Sequence, residues 1–475
     1  MSVILSTLAV ICILAGCNNR ISERNVDELP DIYPDYTDLT IPFNIAPLNF
    51  FVRDNPSKTE VLLSCNRFSL RIAGGDEVKI PLRGWKRLLE EAKGSSVTVE
   101  VKARFANEWR AYKPFLLHVS EHSIDPFMTY RLIEPGYEVW NHIRLAERSL
   151  ESFSERTLAD NNLSGRACMN CHIPSNQDPA LSFFHVRGPQ GGTVLNRGGV
   201  LWKSDIRDGD TNSTPTYGSL HPDGRYGVFS INSVIPAFHT LPPTMLEVYD
   251  RWSSLVIIDF EEEKIVAGGP VGDSASSLET FPAFSADGNS VYFCTAAKTL
   301  LPDSIRSLRY VLCRVGFNSA TGGFSNRVDT LLDLRREGLS ISFPRLSPSG
   351  RFLLYCVSRY GTFPIWHRET DLQMFDLQIG SRIDFSRANS DGSETWHSWS
   401  SNSCWIVFAS KRDDGIYGKP YICFVDSTGR AGKPFVLPQR NPRFYDQTLK
   451  SFNLPELMRG RATFSAADVE RVLRP

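Results

Sequence analysis

The chain has 475 residues, of which 41% are hydrophobic and 22% charged, and its formal net charge is −1. This length allows two or three domains, and the composition is that of a globular protein with a sizeable core. The near-neutral balance excludes the strongly basic class of chains, so nucleic acid is not an expected partner. The 33 glycines and 29 prolines indicate many turns.

The N-terminus carries an apolar run, residues 3–16, that ends in Leu14-Ala15-Gly16-Cys17. Such a run is too short to span a bilayer comfortably and is typical of a signal-peptide core. Small residues before a cysteine resemble the lipobox of bacterial lipoproteins, which implies cleavage before Cys17 and acylation of its thiol. The run departs from that pattern because no Lys or Arg precedes it. An ordinary secretory signal or a buried strand is the alternative.

We therefore expect residues 1–16 to be a signal peptide and residues 17–40 a tether. Acyl chains on Cys17 would hold the mature protein to a membrane, on the periplasmic side of the cell envelope. No other stretch of the sequence is long and apolar enough to cross a membrane.

Residues 41–140 contain alternating apolar runs, for example at 68–72 and 97–101. A period of two is typical of half-buried strands. Between these runs, residues 85–92 have the apolar spacing of a helix. We predict a β-rich domain here that resembles a sandwich.

The next segment contains the motif Cys168-Met169-Asn170-Cys171-His172, which follows a helix-like stretch from His142 through Glu155. C-x-x-C-H is the pattern of c-type haem attachment. Two thiols three positions apart on one helical turn can add to the two vinyl groups of one porphyrin. The histidine that follows can donate an imidazole nitrogen to the iron. The motif resembles a c-type cytochrome site, which implies one covalent haem c in a short helical segment, residues 141–190.

Spacing alone does not give the second axial ligand of the iron. His185 is the nearest other imidazole and lies in an aromatic-flanked, strand-like run; Met128 and Met245 are alternatives, as is a vacant or water-bound position. Arg187 is a candidate for pairing with a haem propionate, because its guanidinium matches a carboxylate. An ordinary surface arginine and a histidine bonded to backbone are the alternative interpretations.

The same motif can bind zinc, with Cys168, Cys171, His172 and His185 as a four-ligand set. Adjacent cysteine and histidine ligands strain one tetrahedron, however, and a redox or structural disulfide is a third use. Most other cysteines, such as Cys294 and Cys423, lie in apolar strand-like runs, where cysteine behaves as a small buried hydrophobe. We expect mostly free thiols, with one disulfide as the alternative, and no disulfide framework.

The second half repeats one template: a short apolar strand, a turn of Asp-Gly type, and an alternating apolar strand. The turns of the four copies lie at Asp223-Gly224, Asp287-Gly288, Ser349-Gly350 and Asn402-Ser403. Asp-Gly between such runs is a strong hairpin signal, because glycine takes the positive φ that the turn needs. Strand pairs repeated every 50–65 residues or so are typical of propeller blades.

The repeats resemble the WD-like blades of the periplasmic translocation protein of the Tol system, most closely at Trp399-Ser400 and in the continuation from Phe408 to Asp413. The third and fourth copies lack the aspartate of that template. The resemblance implies a β-propeller of five or six blades over residues 191–440, followed by a C-terminal extension, residues 441–475. A β-sandwich of the same strands is the alternative.

Two functions follow as expectations. The first is electron transfer by a haem c lipoprotein whose propeller docks unknown redox or envelope proteins. The second is a protein-binding scaffold with a structural or sensory haem or metal site. Catalysis is less expected. Hydrolysis lacks support, because only about 35 residues follow the last repeat and no G-x-S-x-G motif occurs.

Overall fold

The fold was analysed in a computed structural model, which describes residues 22–134, 141–188, 191–207, 214–238, 246–271 and 276–474. The predicted signal peptide, Cys17 and Met245 lie outside the described residues, and so does the side chain of Cys171. The chain is mainly β.

The N-terminal region contains a seven-stranded sheet, a three-stranded sheet and one helix. The large sheet is formed by β1 (Ser22–Asn25), β3 (Leu39–Pro42), β5 (Lys58–Cys65), β6 (Phe68–Gly74), β8 (Ser96–Phe105), β9 (Glu108–Ala111) and β10 (Phe115–Ser120). The small sheet is formed by β2 (Ile32–Tyr33), β4 (Phe50–Val52) and β7 (Glu77–Val78). In β5, every second residue is buried, as its alternating sequence predicts.

The predicted helix is present as α1 (Leu82–Ala92) and packs on the large sheet. Its buried residues are Trp85, Leu88, Leu89 and Ala92, one face of a 3.6-residue repeat. The indole of Trp85 donates a hydrogen bond to the carbonyl of Ile45 at 2.9 Å. Residues 22–40 were expected to be a tether, but they contain β1, β2 and the start of β3. The fully exposed strand β1 has no apolar pattern that would have identified it.

The described residues after β10 form six four-stranded antiparallel sheets, called sheets 1–6. Sheet 1 contains β11 (Phe127–Ile133), β12 (Arg144–Ser149), β13 (Glu155–Asp160) and β34 (Ser451–Met458); sheet 2 contains β14 (Met169–Pro174), β15 (Leu181–Val186), β16 (Gly192–Arg197) and β17 (Val200–Ser204); sheet 3 contains β18 (Pro215–Leu220), β19 (Tyr226–Phe238), β20 (Leu246–Asp259) and β21 (Lys264–Ala267).

Sheet 4 contains β22 (Ser277–Phe284), β23 (Ser290–Ala297), β24 (Val311–Asn318) and β25 (Gly323–Leu332); sheet 5 contains β26 (Ser340–Leu346), β27 (Phe352–Ser358), β28 (Asp371–Asp376) and β29 (Ser381–Ile383); sheet 6 contains β30 (Glu394–Trp399), β31 (Trp405–Ser410), β32 (Lys419–Phe424) and β33 (Phe435–Val436). Two further helices, α2 (Phe444–Gln447) and α3 (Ala466–Leu473), lie near the C-terminus.

One edge strand of each sheet contacts its counterparts in the next sheet and the previous one. These six strands, called the ring strands, follow each other in the closed cycle β34, β14, β18, β22, β26, β30 and back to β34. A closed cycle of four-stranded antiparallel sheets is a propeller-like arrangement. The cycle closes because β34, close to the C-terminus, pairs with β11 and becomes the ring strand of sheet 1.

Two expectations are corrected here. The stretch expected to be helical, residues 141–190, forms the strands β12 to β15, with only short 3-10 turns at Asn161–Ser164 and Ser175–Gln177. Five of the six residues of β12 are buried, so its apolar residues belong to a covered strand and not to one face of a helix. The C-terminal stretch, residues 441–475, was expected to be an extension, but it supplies β34.

The four repeat turns form hairpins as predicted. Gly224, Gly288, Gly350 and Ser403 have φ of 76°, 76°, 73° and 61°. The side chain just before this position accepts a hydrogen bond from a backbone N–H two residues later. The Asp223 carboxylate accepts from Arg225, and the Asn402 side-chain oxygen accepts from Cys404. Serine or asparagine therefore replaces the aspartate of the template without loss of the turn.

The seven cysteines that the structure describes with their side chains form no disulfide with one another, which agrees with the expectation of mostly free thiols outside the haem motif, and five of them are buried. Among the described residues, no helix has the length and apolar character needed to cross a membrane.

Candidate functional site

Five ring strands contain a bulge with one extra residue, so that two of their residues lie opposite one residue of the paired strand. These bulge pairs are Cys171-His172, Phe281-Pro282, Phe343-Pro344, Trp396-His397 and Leu454-Pro455. The first residue of the last four pairs has φ between 50° and 53°. Such bulges re-aim side chains and are frequent beside binding sites. Cys171 of the haem motif therefore occupies the register position that carries Phe, Trp or Leu in the other four strands.

Side chains from these positions form an aromatic layer at the centre of the ring. The ring centroids of Phe281 and Phe343 are 4.0 Å apart, and those of Phe343 and Trp396 are 4.1 Å apart. Tyr217 of β18 joins the layer at 4.6 Å from Phe281. Tyr217, Trp396 and Leu454 also line a large cavity.

This cavity, called the central cavity, has a volume of about 750 Å³. Part of its wall is apolar or aromatic and comes from the hairpin of β19 and β20, from Phe363 and from the aromatic layer. Another part is cationic and contains Arg131, Arg166, Arg187 and Arg207. Since no Asp or Glu is among the described residues that line it, the cavity favours an anionic or acidic ligand with an apolar body.

Four different segments supply the arginines. Arg131 lies on β11 and donates to the carbonyl of Met169 at 3.3 Å, while its buried Nε has no partner among the described residues. Arg187 directly follows β15 and donates to Thr214 and, at 3.0 Å, to Thr216. Arg207 pairs with Asp205 at 2.9 Å. Arg166 follows the 3-10 turn with φ of 62°.

The haem motif lies at the edge of the central cavity, on a strand and not on the expected helical turn. Cys168 lines the cavity, and its carbonyl accepts a hydrogen bond from the N–H of Arg187 at 2.9 Å. Residues three apart on a regular strand lie on opposite faces, but the bulge at 171–172 interrupts that alternation. The strand geometry therefore does not exclude a joint role for the two cysteines.

His172 is 8% exposed and has no hydrogen-bond partner at either ring nitrogen among the described residues. Burial lowers its pKa to about 3, with a smaller opposing effect from the nearby backbone of Thr129. The imidazole is therefore neutral at pH 7, as a metal ligand must be. His172 is not among the residues that line the central cavity.

His185 is buried between the rings of Phe183 and Phe229, at centroid distances of 5.2 and 5.6 Å. Its Nδ1 shares a hydrogen bond with the hydroxyl of Thr193 at 2.9 Å, and its Nε2 has no partner in the described part of the chain. Burial lowers the pKa of His185 well below its usual value. Like His172, it does not line the central cavity.

The other predicted ligands were Met128 for the iron and a set of four residues for zinc. Met128 is fully buried in the largest hydrophobic core and does not line the central cavity. Within the described residues, no three His, Cys, Asp or Glu side chains are grouped closely enough to hold a metal ion, and the side chain of Cys171 is outside that search.

Of the residues predicted for the site, the structure brings Cys168 and Arg187 together at the cavity wall, whereas His172 and His185 are buried and do not line the cavity. Sequence reasoning missed Arg131, Arg166 and Arg207. Arg166 stands two residues before Cys168, which is a local signal, but nothing in the sequence links Arg131 or Arg207 to the motif.

No protein-family model matches the sequence, and no curated protein matches it. Prolyl oligopeptidase B from Galerina marginata, bound to a 25mer macrocyclization substrate, is 12% identical over 66% of this chain and 45% of that chain, with a TM-score of 0.38. Regucalcin from Agrobacterium tumefaciens, a calcium-binding protein, is 12% identical over 65% of this chain and 91% of that chain, with a TM-score of 0.35.

An oligogalacturonate lyase in complex with manganese is also 12% identical, over 65% of this chain and 72% of that chain, with a TM-score of 0.34. The chain spans less than half the length of the prolyl oligopeptidase. At these TM-scores the neighbours carry no argument about activity, and the propeller-like fold rests on the strand pairing itself.

Proposed function

We propose that this chain is a membrane-anchored periplasmic lipoprotein that binds one covalent haem c and transfers electrons. The observation that carries the proposal is the central cavity, in which the thiol of Cys168, a cationic wall and an apolar wall meet. The anchor would be acyl chains on Cys17.

The residues at the cavity fit a haem in three respects. A haem has an apolar macrocycle and two carboxylates, and the cavity offers an apolar wall and guanidinium groups that match carboxylates. Cys168 and Cys171 would supply the two thiols, with Cys171 at the ring-strand position that carries the cavity-lining Trp396 and Leu454 in two other strands. His172 would supply a neutral imidazole whose nitrogens are not engaged elsewhere among the described residues.

When bound, haem iron supplies one-electron redox chemistry. The residues of this chain would tune it. The apolar side chains from β19 and β20 would lie against the macrocycle, and the guanidinium of Arg187 is held in place by Thr214 and Thr216. The cationic wall would stabilise added negative charge and would therefore favour the reduced state.

His185 is the proposed second axial ligand. Metal-ligating histidines usually donate their other ring nitrogen to a partner that fixes the ring, and Thr193 holds Nδ1 of His185 while Nε2 is free in the described structure. Replacing His185 by Ala should convert a low-spin haem spectrum to high spin. The matched variant His397→Ala should leave the spectrum low spin, and an unchanged spectrum in His185→Ala would exclude this ligand.

The finer features of the fold belong to the same proposal. We count the six sheets as six blades of one closed propeller, with Tol-like WD repeats in sheets 3–6. The propeller surface would dock unknown redox or envelope proteins. Fold alone does not establish this role, so the argument depends on the site.

The test is production of the full chain in a host with haem c maturation, followed by a pyridine haemochrome spectrum and haem staining of a denaturing gel. We expect a c-type band that stays with the polypeptide, and a reversible midpoint potential. Cys168→Ser and Cys171→Ser should each weaken or abolish the stain. Cys404→Ser, which changes another partly exposed free thiol, should not. A colourless wild-type protein would contradict the proposal.

A second candidate function is a protein-binding scaffold lipoprotein with a structural or sensory haem or metal site. The observation that favours it is that His172 is buried and does not line the cavity, because a haem without this ligand would be poorly suited to electron transfer. A covalent haem without reversible reduction would favour this candidate, and zinc in a colourless product would favour its metal-site form.

A further inference from the structure

A second cavity, called the Lys411 cavity, lies between sheets 5 and 6 and has a volume of about 500 Å³. Its wall is formed by three loops, residues 365–368, 391–393 and 411–416. None of these residues lines the central cavity, so the two sites are separate.

Lys411 is the unusual residue of this cavity. It directly follows β31, is only 5% exposed, and is fixed by a hydrogen bond from its N–H to the carbonyl of Ser393 at 3.0 Å. Its Nζ lies 3.5 Å from the centroid of the Trp366 ring. Among the described residues, Nζ has no hydrogen-bond partner and no carboxylate within ion-pair distance. Nζ is not among the fully buried polar atoms that lack a partner, so the amine is accessible from the cavity and is contacted by the Trp366 face.

The charged groups around Lys411 are engaged with other partners. Arg412 pairs with Glu394 at 3.3 Å, and Asp413 binds Lys419 at 2.7 Å. Asp414 accepts hydrogen bonds from the backbone of Ile416 and Tyr417 at 2.8 Å. From the other two loops, Arg368 donates to the carbonyl of Asp391 at 2.8 Å.

Burial lowers the pKa of Lys411 to about 7, and Asp414 opposes part of this shift. A desolvated amine that is partly uncharged at neutral pH is a nucleophile. The wall contains three basic residues, Arg368, Lys411 and Arg412, and three acidic ones, Asp391, Asp413 and Asp414. Balanced charge of this kind does not favour an anion and suits a small neutral ligand.

We propose that the Lys411 cavity is a reactive-amine site that takes small neutral carbonyl compounds. Nζ attacks the carbonyl carbon and forms a C–N bond. The carbonyl oxygen then leaves as water, taking two protons, and an imine remains. The step needs no oxidant or reductant and is independent of the proposed haem.

The test uses the full chain, propanal as the probe, and cyanoborohydride to reduce any imine to a stable secondary amine. Labelling at each lysine is then mapped by peptide mass spectrometry from pH 6 to pH 10. We expect Lys411 to label at least tenfold more than the exposed Lys86 at pH 7. The neutral fraction of an amine with a pKa of about 7 exceeds that of an ordinary lysine by roughly a thousandfold, and limited access reduces this advantage.

Lys419 is the matched internal control, because it is also 5% exposed but is paired with Asp413. Lys411 should label and Lys419 should not. The variant Lys411→Arg should lose the labelled peptide and keep the circular dichroism spectrum of the wild type. Equal labelling of Lys411 and Lys86 at pH 7 would overturn the proposal, as would equal labelling of Lys411 and Lys419.

Discussion

Two ring strands, β14 and β30, carry the same two-residue bulge pair with histidine in the second position, but these histidines differ in their partners. Nε2 of His397 lies 3.1 Å from the carbonyl oxygen of Leu354, and Nδ1 lies 3.6 Å from the sulfur of Cys356. His172 has no such partner among the described residues. Both side chains are buried, and burial lowers the pKa of each to about 3.

His397 therefore forms hydrogen bonds within the fold, whereas both ring nitrogens of His172 lack a hydrogen-bond partner among the described residues. A buried polar group without a partner costs about 1–3 kcal/mol, so His172 reduces stability unless a ligand engages it. His397 needs no ligand, because its hydrogen bonds join β30 to β27. The other three bulge pairs have proline in the second position, which offers no side-chain nitrogen to a ligand.

The largest expected effect is on stability. His397→Ala should lower the free energy of unfolding by about 3–5 kcal/mol, because it leaves a cavity and an unpaired Leu354 carbonyl. In haem-free protein, His172→Ala should cost about half as much, because only the cavity is created. Urea unfolding of both variants measures the difference. Equal losses would remove the distinction between the two histidines.

An effect of intermediate size is expected on the free energy of unfolding at acidic pH, where the two histidines should behave alike. Each has an unfolded pKa of about 6.5 and a folded pKa of about 3, so the unfolded state binds more protons between these values. Each therefore lowers stability by about 1.4 kcal/mol per pH unit as pH falls below 6.5. In haem-free protein, His172→Gln and His397→Gln should reduce the slope of the free energy of unfolding against pH below pH 6.5 (the acid limb) to the same extent.

The acid limb also contains opposing groups, so only differences between variants are informative. Burial raises the pKa of Asp250 and Glu456 to about 7, so the protonation of these carboxyls stabilises the folded protein as the pH falls. Both groups are present in both variants and cancel in the comparison. A variant with an unchanged acid limb would show that its histidine is not held neutral in the fold.

The smallest expected effect is at the proline of β26. Pro344→Ala should cost about 0.5–1 kcal/mol, mainly through the greater freedom of the unfolded chain. Thermal unfolding should show this as a small downward shift of the midpoint. A loss as large as that of His397→Ala would mean that the bulge itself, and not its side chain, sets the stability of the ring strand.

Much of sheets 3–6 could be predicted, because each repeat encodes its hairpin locally. Asp223-Gly224 and Asp287-Gly288 mark turns whose strands follow directly in the chain. Sheet 1 could not be predicted this way, because β34 pairs with β11 more than 300 residues earlier. The covered strand β12 has apolar residues that also fit a helix, and only its neighbours in the sheet decide between the two.

The site was predictable where its residues are close in sequence. Cys168 directly precedes β14 and Arg187 directly follows β15, so the pairing of these adjacent antiparallel strands brings the two residues together at the cavity wall. The helical geometry assumed for the haem motif was wrong, because Met169–Pro174 pairs as β14 with β15. Arg131, on β11, reaches the wall only through the order of the sheets, which no local pattern encodes.

The pairing of β34 with β11 also sets an order of assembly. Trp396 and Leu454, two residues of the central cavity wall, lie far after Cys168 in the chain, so a polypeptide exported from its N-terminus presents the thiol before that wall exists. If the chain is exported as proposed, Cys168 and Cys171 would be accessible to a cofactor before β34 pairs with β11 and completes the ring.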